Sequence, residues 1–225
     1  MAAAKGNTTK QIEVAQFDLQ TVEVNLVGTA PIIFHKWSEK ARRQMLDKQM
    51  GVASTGREKK DPEADFLGSM YALSATGTLD EGWAERAHTG TSYPVPHRDE
   101  IKMPDGGFGF PAVGFKAAAV RAGKGMGAVM TDLRAAFHIH GEFVRVHGED
   151  SLICREDMVH VGQTTDIRYR GSFENWSVQI PVQFNARAIS AEQLLTLFQG
   201  AGFSVGVGEW RPERNGQYGT FKLDA

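Results

Sequence analysis

Apolar and polar residues alternate from Thr21 to Leu26, with Val22, Val24 and Leu26 on one side and Glu23 and Asn25 on the other. A period of two predicts a half-buried strand. Pro31 interrupts the extended run TVEVNLVGTAPIIFHKW and places a bend or an edge there. The alternation is cleanest in WSVQIPVQF, where Trp176, Val178, Ile180, Val182 and Phe184 point one way and Ser177, Gln179 and Gln183 the other. Pro181 falls on the polar side of that strand, where it withholds a ladder donor. AAFHIHGEFVRVHG reads as extended with a bulge at Gly141, and residues 152–161 as a returning strand. A loop rich in Thr, Arg, Gly and Ser follows, and TFKL closes the set of strands.

A longer period marks the helices. Ser38 is an N-cap, Glu39 suits the first turn and Gly51 a stop, with Ala41 and Met45 four apart on one side. Asp61-Pro62-Glu63 starts a second helix, carried on by Phe66, Met70 and Leu73. Pro111 opens PAVGFKAAAVRAG, which Gly123 ends. Ser190 and Gln193 form a capping box before Leu194, Leu195 and Phe198, with Gly200 as the stop. From Ser74 to Gly109 the pattern weakens, and Asp105-Gly106-Gly107 reads as a turn.

These elements predict an α+β fold. Residues 1–11 are a flexible tail, and 12–225 form a single domain in which 38–109 are inserted as a partly ordered, mobile region. Without the insertion the order is strand, helix, strand, strand, helix, strand. That βαββαβ order is ferredoxin-like, or RRM-like, and leaves one sheet face free of helices.

Charge sharpens this picture. Over 225 residues, 25 Lys+Arg stand against 27 Asp+Glu, which argues against a chain that is basic all over. Lys36, Lys40, Arg42, Arg43, Lys48, Arg57, Lys59 and Lys60, against Glu39, Asp47 and Glu58, make residues 36–60 net +5 and leave the rest at −7. Such asymmetry concentrates positive potential on one part of the surface. Cys154 is the single cysteine, which excludes an internal disulfide and fits the cytoplasm. No segment has the apolar length of a membrane span or a signal peptide.

Two motifs carry a family resemblance. FPAVGFKAAAVR resembles the signature of the RAMP superfamily of CRISPR-associated proteins, in whose effector backbone subunits Pro-Gly-Ser-Ser-hydrophobic-Lys-Gly opens the first helix. Pro111, Phe115 and Lys116 match in spacing; Ala112-Val113-Gly114 departs from Gly-Ser-Ser, so contacts through those hydroxyls are not carried over. The ending Val205-Gly206-Val207-Gly208 through Gly216 to Gly219 is similar to the RAMP glycine-rich loop, and the strand leading into APIIFHKW to the first RAMP strand. The resemblance implies an inserted thumb or finger, RNA binding that ignores sequence, and homo-oligomers or filaments along single-stranded RNA, with other effector-complex subunits as further partners. A phage or mobile-element relative acting on single-stranded DNA, or in virion assembly, fits the same residues.

Binding without reading bases needs cations for phosphates and rings on which bases stack. Arg168-Tyr169-Arg170 combines both, as do Trp210, Arg211, Arg214 and Tyr218 in the glycine loop. Lys116 near a helix start suits a phosphate, with Arg121 on the same helix. With Lys36, Lys40, Arg42 and Arg43 they form the candidate nucleic-acid-binding set. The glycines Gly206, Gly208, Gly216 and Gly219 then let the loop approach another backbone, of nucleic acid or of a neighbouring subunit.

Catalytic readings are thinner. His138 and His140 alternate on one strand face, with His147 or His160 near them, but no carboxylate cluster accompanies them to complete a metal site, and no cofactor is expected. AGKGMG around Lys124 lacks the Ser or Thr and the spacing of a phosphate loop. Some RAMP subunits cleave RNA with a loop aspartate, and Asp61, Asp65 and Asp105 lie in the corresponding region, which leaves a metal-dependent ribonuclease as the enzymatic alternative. Cys154 beside Arg155 is a candidate for a reactive thiol or a half-buried structural cysteine.

Overall fold

The structure is a computed structural model and describes residues 16–52, 59–162 and 164–224. Of the expectations above, the tail 1–11 and the charges of Arg57 and Glu58 lie outside the described residues. The described residues form a mixed α+β fold with six α-helices and antiparallel sheets.

The main sheet is built on β1 (Leu19–Gly28) and β9 (Ser177–Asn185), antiparallel along nearly their full length. β10 (Phe221–Leu223) flanks β1, and β6 (Phe143–His147) flanks β9, followed by β4 (Phe108–Pro111) and β3 (Tyr71–Ala72). β5 (Phe137–Ile139) also pairs with β9. Pro181 falls in the gap between the stretch of β9 that pairs with β5 and the stretch that pairs with β6, so its missing N–H interrupts neither ladder. Every apolar member of the alternation, from Trp176 to Phe184, is buried.

Against this buried face pack α4 (Ala112–Gly125) and α6 (Ala191–Ser204). The Ser190–Gln193 capping box is formed as the sequence predicts. Both helices, however, run past their expected glycine stops. A Cβ on Gly200 would lie 2.0 Å from Met126 Cε, and one on Gly123 2.2 Å from Leu133 Cδ1, so these glycines serve close packing inside the helices. α5 (Met130–Ala136), which no periodicity announced, joins α4 to β5.

A second sheet of three strands joins β2 (Ile32–Ile33), β8 (Thr164–Phe173) and β7 (Leu152–Val161). The stretch expected as a Thr/Arg/Gly loop is therefore a strand. Its inner half, Arg170 to Phe173, is buried, while Thr164 and Thr165 near the turn are exposed. With ten residues per strand at ~3.3 Å each, β7 and β8 form an arm about 30 Å long. A ladder of rings ties it to the body: Phe34 meets Phe173 at 5.0 Å, Phe173 meets Phe108 at 5.7 Å, and Phe115 meets Phe110 at 5.7 Å and Phe221 at 5.9 Å. Such pairs contribute ~0.5–1.5 kcal/mol each beyond the area they bury.

The 38–109 region divides in two. α1 (Glu39–Met50), capped by Ser38 and Gly51 as expected, buries no side chain. α2 (Pro62–Gly68), β3 and α3 (Trp83–Ala87) instead feed Phe66, Leu67, Met70 and Trp83 into the core, and β3 and β4 extend the main sheet. α2 ends at Gly68, so Met70 and Leu73 follow it rather than continue it. The fully buried Glu63 holds this half together, accepting from Thr89 N at 2.6 Å and Ser92 N at 3.2 Å beside His88.

Burial works to raise the Asp61 and Glu63 pKa values, but hydrogen bonds from Ala64, Ser92 and Thr89, together with His88, outweigh it and set both below their ordinary 3.8 and 4.5. A depressed carboxyl contributes stability above its ordinary value and loses it as pH falls through the folded one. The α2–α3 half is therefore expected to loosen as pH drops below ~4, read from the near-UV signal of Trp83. Glu63→Ala, which takes the acceptor from the part-buried N–H groups of Thr89 and Ser92, is expected to cost about 1–3 kcal/mol at neutral pH. Acid and neutral unfolding that ignored this substitution would contradict the role given to Glu63.

Candidate nucleic-acid interface

On the sheet face away from α4 and α6, Thr21 and Glu23 of β1 and Gln179 and Pro181 of β9 are exposed. The outward residues there are Thr21, Glu23, Asn25, Gln179, Pro181 and Gln183, which supply neither a ring nor a cation. The candidate residues gather elsewhere, where the second sheet meets the chain between β2 and α1.

There Lys36 and Lys40 face Arg168 and Arg170 across a cleft of about 660 Å³, also lined by His35, Trp37, Lys60, Asp65 and Asp166. Two basic stretches more than a hundred residues apart thus meet. The meeting follows from backbone pairing: Phe34 N donates to Gly171 O at 2.9 Å and Ser172 Oγ to Ile32 O at 3.0 Å, which zips β2 onto β8. Lys36 N donates to Ser69 O at 2.8 Å, and Gly171 N to Ser69 Oγ at 2.9 Å, so the end of α2 braces both walls. Arg168, Tyr169 and Arg170 all line the cleft, although alternation along β8 points Tyr169 away from the two arginines. Tyr169 packs edge-on against Tyr93 at 6.5 Å with Lys60 5.8 Å from its ring centre.

The cleft's acids are engaged. Asp166 accepts from Lys60 at 2.8 Å, and its two cationic neighbours, Lys60 and Arg168, hold its carboxyl below the ordinary value. Asp65 lies 3.8 Å from Lys60, yet burial raises its pKa. Beyond the cleft floor, Glu209 is 2.7 Å from His35, which lowers the Glu209 pKa against the effect of burial.

Two grooves follow from the cleft, the first adjoining it and the second adjoining the first. One, about 670 Å³, shares Lys36 and Trp37 with the cleft and runs past Arg42, Pro111, Val113 and Phe143 to Lys116 and His138. The other, about 410 Å³, shares Lys116 and runs between α4 and the glycine loop past Arg121, Arg211, Gly206 and Gly208. The two motifs that carry the family resemblance therefore face each other. The three depressions form a series linked by shared lining residues, Lys36 and Trp37 between the cleft and the first groove and Val113 and Lys116 between the two grooves. Its cations differ in readiness: Arg121 and Arg211 both pair with Glu213, at 3.1 and 3.0 Å. Lys116 Nζ donates to Arg134 O at 3.0 Å and sits 3.1 Å from His138 Nδ1, with its pKa lowered by burial.

Arg43, Arg214, Trp210 and Tyr218 line none of these depressions. Tyr218 lies under the Arg155 guanidinium at 4.6 Å, and Arg155 is the cross-strand partner of Arg170. The glycines have a reason within the chain itself. A Cβ on Gly216 would lie 1.6 Å from Trp210 O, on Gly219 1.7 Å from Val207 O, on Gly208 2.6 Å from Ile33 O, and on Gly206 2.8 Å from Pro212 Cδ. The chain's own backbone approaches Gly208, Gly216 and Gly219, and the Pro212 ring approaches Gly206, which is enough to account for them.

Residues that sequence reasoning passed over include Trp37, which is 56% exposed and lines two of the three depressions. A lone tryptophan next to a basic helix was the available signal. Glu209 and Arg155 gave none.

Among the described residues no three His, Cys, Asp or Glu side chains group as metal ligands. Asp61 caps α2 and pairs with His88 at 3.1 Å. Burial, with Glu156 and Asp157, pushes the Cys154 thiol up to about 12, which overturns the reactive-thiol reading. No helix among the described residues is long and apolar enough to cross a membrane.

No protein-family model matches the chain, and no curated protein matches it. Among solved structures, it is similar to the crystal structure of Cmr6 from Pyrococcus furiosus at 11% identity and a TM-score of 0.37, over 93% of this chain and 100% of that one. At that score two chains need not share a topology.

Proposed function

We propose that this chain is a non-catalytic, cytoplasmic subunit that binds single-stranded nucleic acid without reading sequence and assembles along it. The observation that carries the reading is the convergence of Lys36 and Lys40 with Arg168 and Arg170 around an exposed Trp37, beside a groove that shares Lys36 and Trp37 with the cleft. Cations spaced along a groove neutralise successive phosphates, and an exposed ring accepts a base by its face. On this reading the core is ferredoxin-like and RAMP-like. The order β10–β1–β9–β6 supports it, with α4 in the connection from β1 to β6 and α6 in that from β9 to β10. Apolar residues left at the surface support assembly: Met158 and Ile167 oppose each other on the arm, and Met45, Leu46 and Met50 are exposed on α1.

The reading is tested by filter binding of homopolymeric RNA and DNA oligonucleotides at low and high salt. Tight retention at low salt that falls steeply as salt rises is expected. No retention at low salt ends the reading and leaves a protein-assembly role; cleavage abolished by a chelator favours the ribonuclease. Trp37→Ala is expected to weaken binding about tenfold, within the ~1–3 kcal/mol of a stacked base, and to leave the salt slope unchanged. A changed slope with unchanged affinity would contradict a stacking role.

A further inference from the structure

We infer that the cleft between the β2–α1 segment and the arm contains a seat for one phosphate-type oxyanion, held by Arg170 with Arg168 and Lys36. This deepens the reading above and rests on the same cleft. Arg170 is only 5% exposed, lines the cleft and has no ion-pair partner among the described residues. Its Nη1 is buried without a hydrogen-bond acceptor. The nearby acids are committed elsewhere: Glu209 to His35, and Asp166 and Asp65 to Lys60. A second guanidinium nitrogen, Arg168 Nε, is also buried without a hydrogen bond, for Asp166 Oδ2 lies 2.9 Å away but out of line.

A buried guanidinium lacking its counter-ion is strongly unfavourable. Burial lowers the Arg170 pKa, while Glu209 works the other way. A guanidinium stays charged nonetheless, so it calls for an anion rather than giving up its proton. Five cations (Lys36, Lys40, Lys60, Arg168 and Arg170) against two acids (Asp65 and Asp166) give the lining an excess of positive charge. A tetrahedral oxyanion suits this geometry because it offers acceptors in several directions. Two guanidinium groups and an ammonium then bind it at once, in the charge-assisted mode arginine favours. Free phosphate and a phosphodiester within a strand share this chemistry.

The test is thermal unfolding of the full chain at neutral pH, in phosphate and in chloride of equal ionic strength. Wild type is expected to gain a saturable increment, on the order of 5 °C at a phosphate concentration about a hundred times the dissociation constant. Arg170→Met is expected to lose that increment and to melt no lower than wild type in chloride, since it replaces a buried charge that lacks an ion pair by an apolar side chain. Arg187→Gln, at an exposed position outside the cleft lining, is expected to keep it. An increment of equal size in Arg170→Met is a general salt effect and overturns the seat. Should that variant not fold, broadening of the phosphate signal in phosphorus NMR by wild type, diminished in Lys36→Ala, supports the seat, and its absence overturns it.

Oligonucleotide binding is measured on the same samples. A strand that displaces phosphate identifies a phosphodiester as the occupant. Phosphate binding without oligonucleotide binding makes free phosphate the occupant and ends the single-strand reading. Oligonucleotide binding without a phosphate effect ends the seat alone.

Discussion

Replacing Lys36, Lys40 and Arg168 together by alanine is expected to lower affinity for a homopolymeric single strand about a hundredfold at ~0.1 M salt. The size follows from counter-ion release. Each phosphate neutralised adds ~0.7 to the slope of log affinity against log salt on single strands, so three lost contacts reduce it by about 2. The two binding curves should then converge towards ~1 M salt. Loss of affinity with an unchanged slope would mean that the three residues shape the cleft without touching phosphates. The three are suitable because they come from both walls: Lys36 and Lys40 from the β2–α1 segment, and Arg168 from β8. The neighbouring cations Arg121 and Arg211, which share Glu213, are expected to contribute less.

The largest expected effect on stability lies in the glycine loop. Gly219 has φ +64°, and a Cβ there would lie 1.7 Å from Val207 O. Its amide donates to Pro31 O at 2.7 Å and its carbonyl accepts from Val207 N at 2.9 Å, so the segment cannot move aside without losing both bonds. Gly219→Val is therefore expected to cost about 4 kcal/mol or more, from backbone strain and steric overlap together. Gly51 supplies the comparison. It has φ +69° with open space around it, and Gly51→Ala is expected to cost about 1 kcal/mol. Denaturant unfolding of the two variants separates the effects. Equal costs would show that dihedral preference alone, and not the close approach of Val207, demands glycine at position 219.

Legibility from sequence followed burial. β9 was readable because one face is wholly buried and the other polar, which imposes period two on the residues. β8 was not: Asp166, Arg168 and Arg170 alternate with Ile167, Tyr169 and Gly171, so neither face is uniformly apolar. The glycines misled in both directions. Gly123 and Gly200 resemble helix stops, but what they answer to is the volume of Leu133 and Met126, which no local rule anticipates. In the site, each cation was visible singly, and the resemblance of FPAVGFKAAAVR and of the glycine loop drew attention to two segments that do face one another. The union of Lys36 with Arg170 was not visible, because it depends on β2 pairing with β8 across a large sequence separation. The outward face of the main sheet was visible as the polar half of the alternation. Its lack of rings and cations on β1 and β9 was equally plain in Thr21, Glu23, Gln179 and Gln183 once the register was known.

The most direct measurement is photo-crosslinking of a homopolymeric RNA carrying a photoreactive uridine, with the attachment sites mapped by mass spectrometry. Attachment at Trp37, along Pro111 to Lys116, and on the cleft side of the arm near Arg168 is the expected result. Attachment instead on the outward faces of β1 and β9, at residues such as Glu23 and Gln179, would contradict the account.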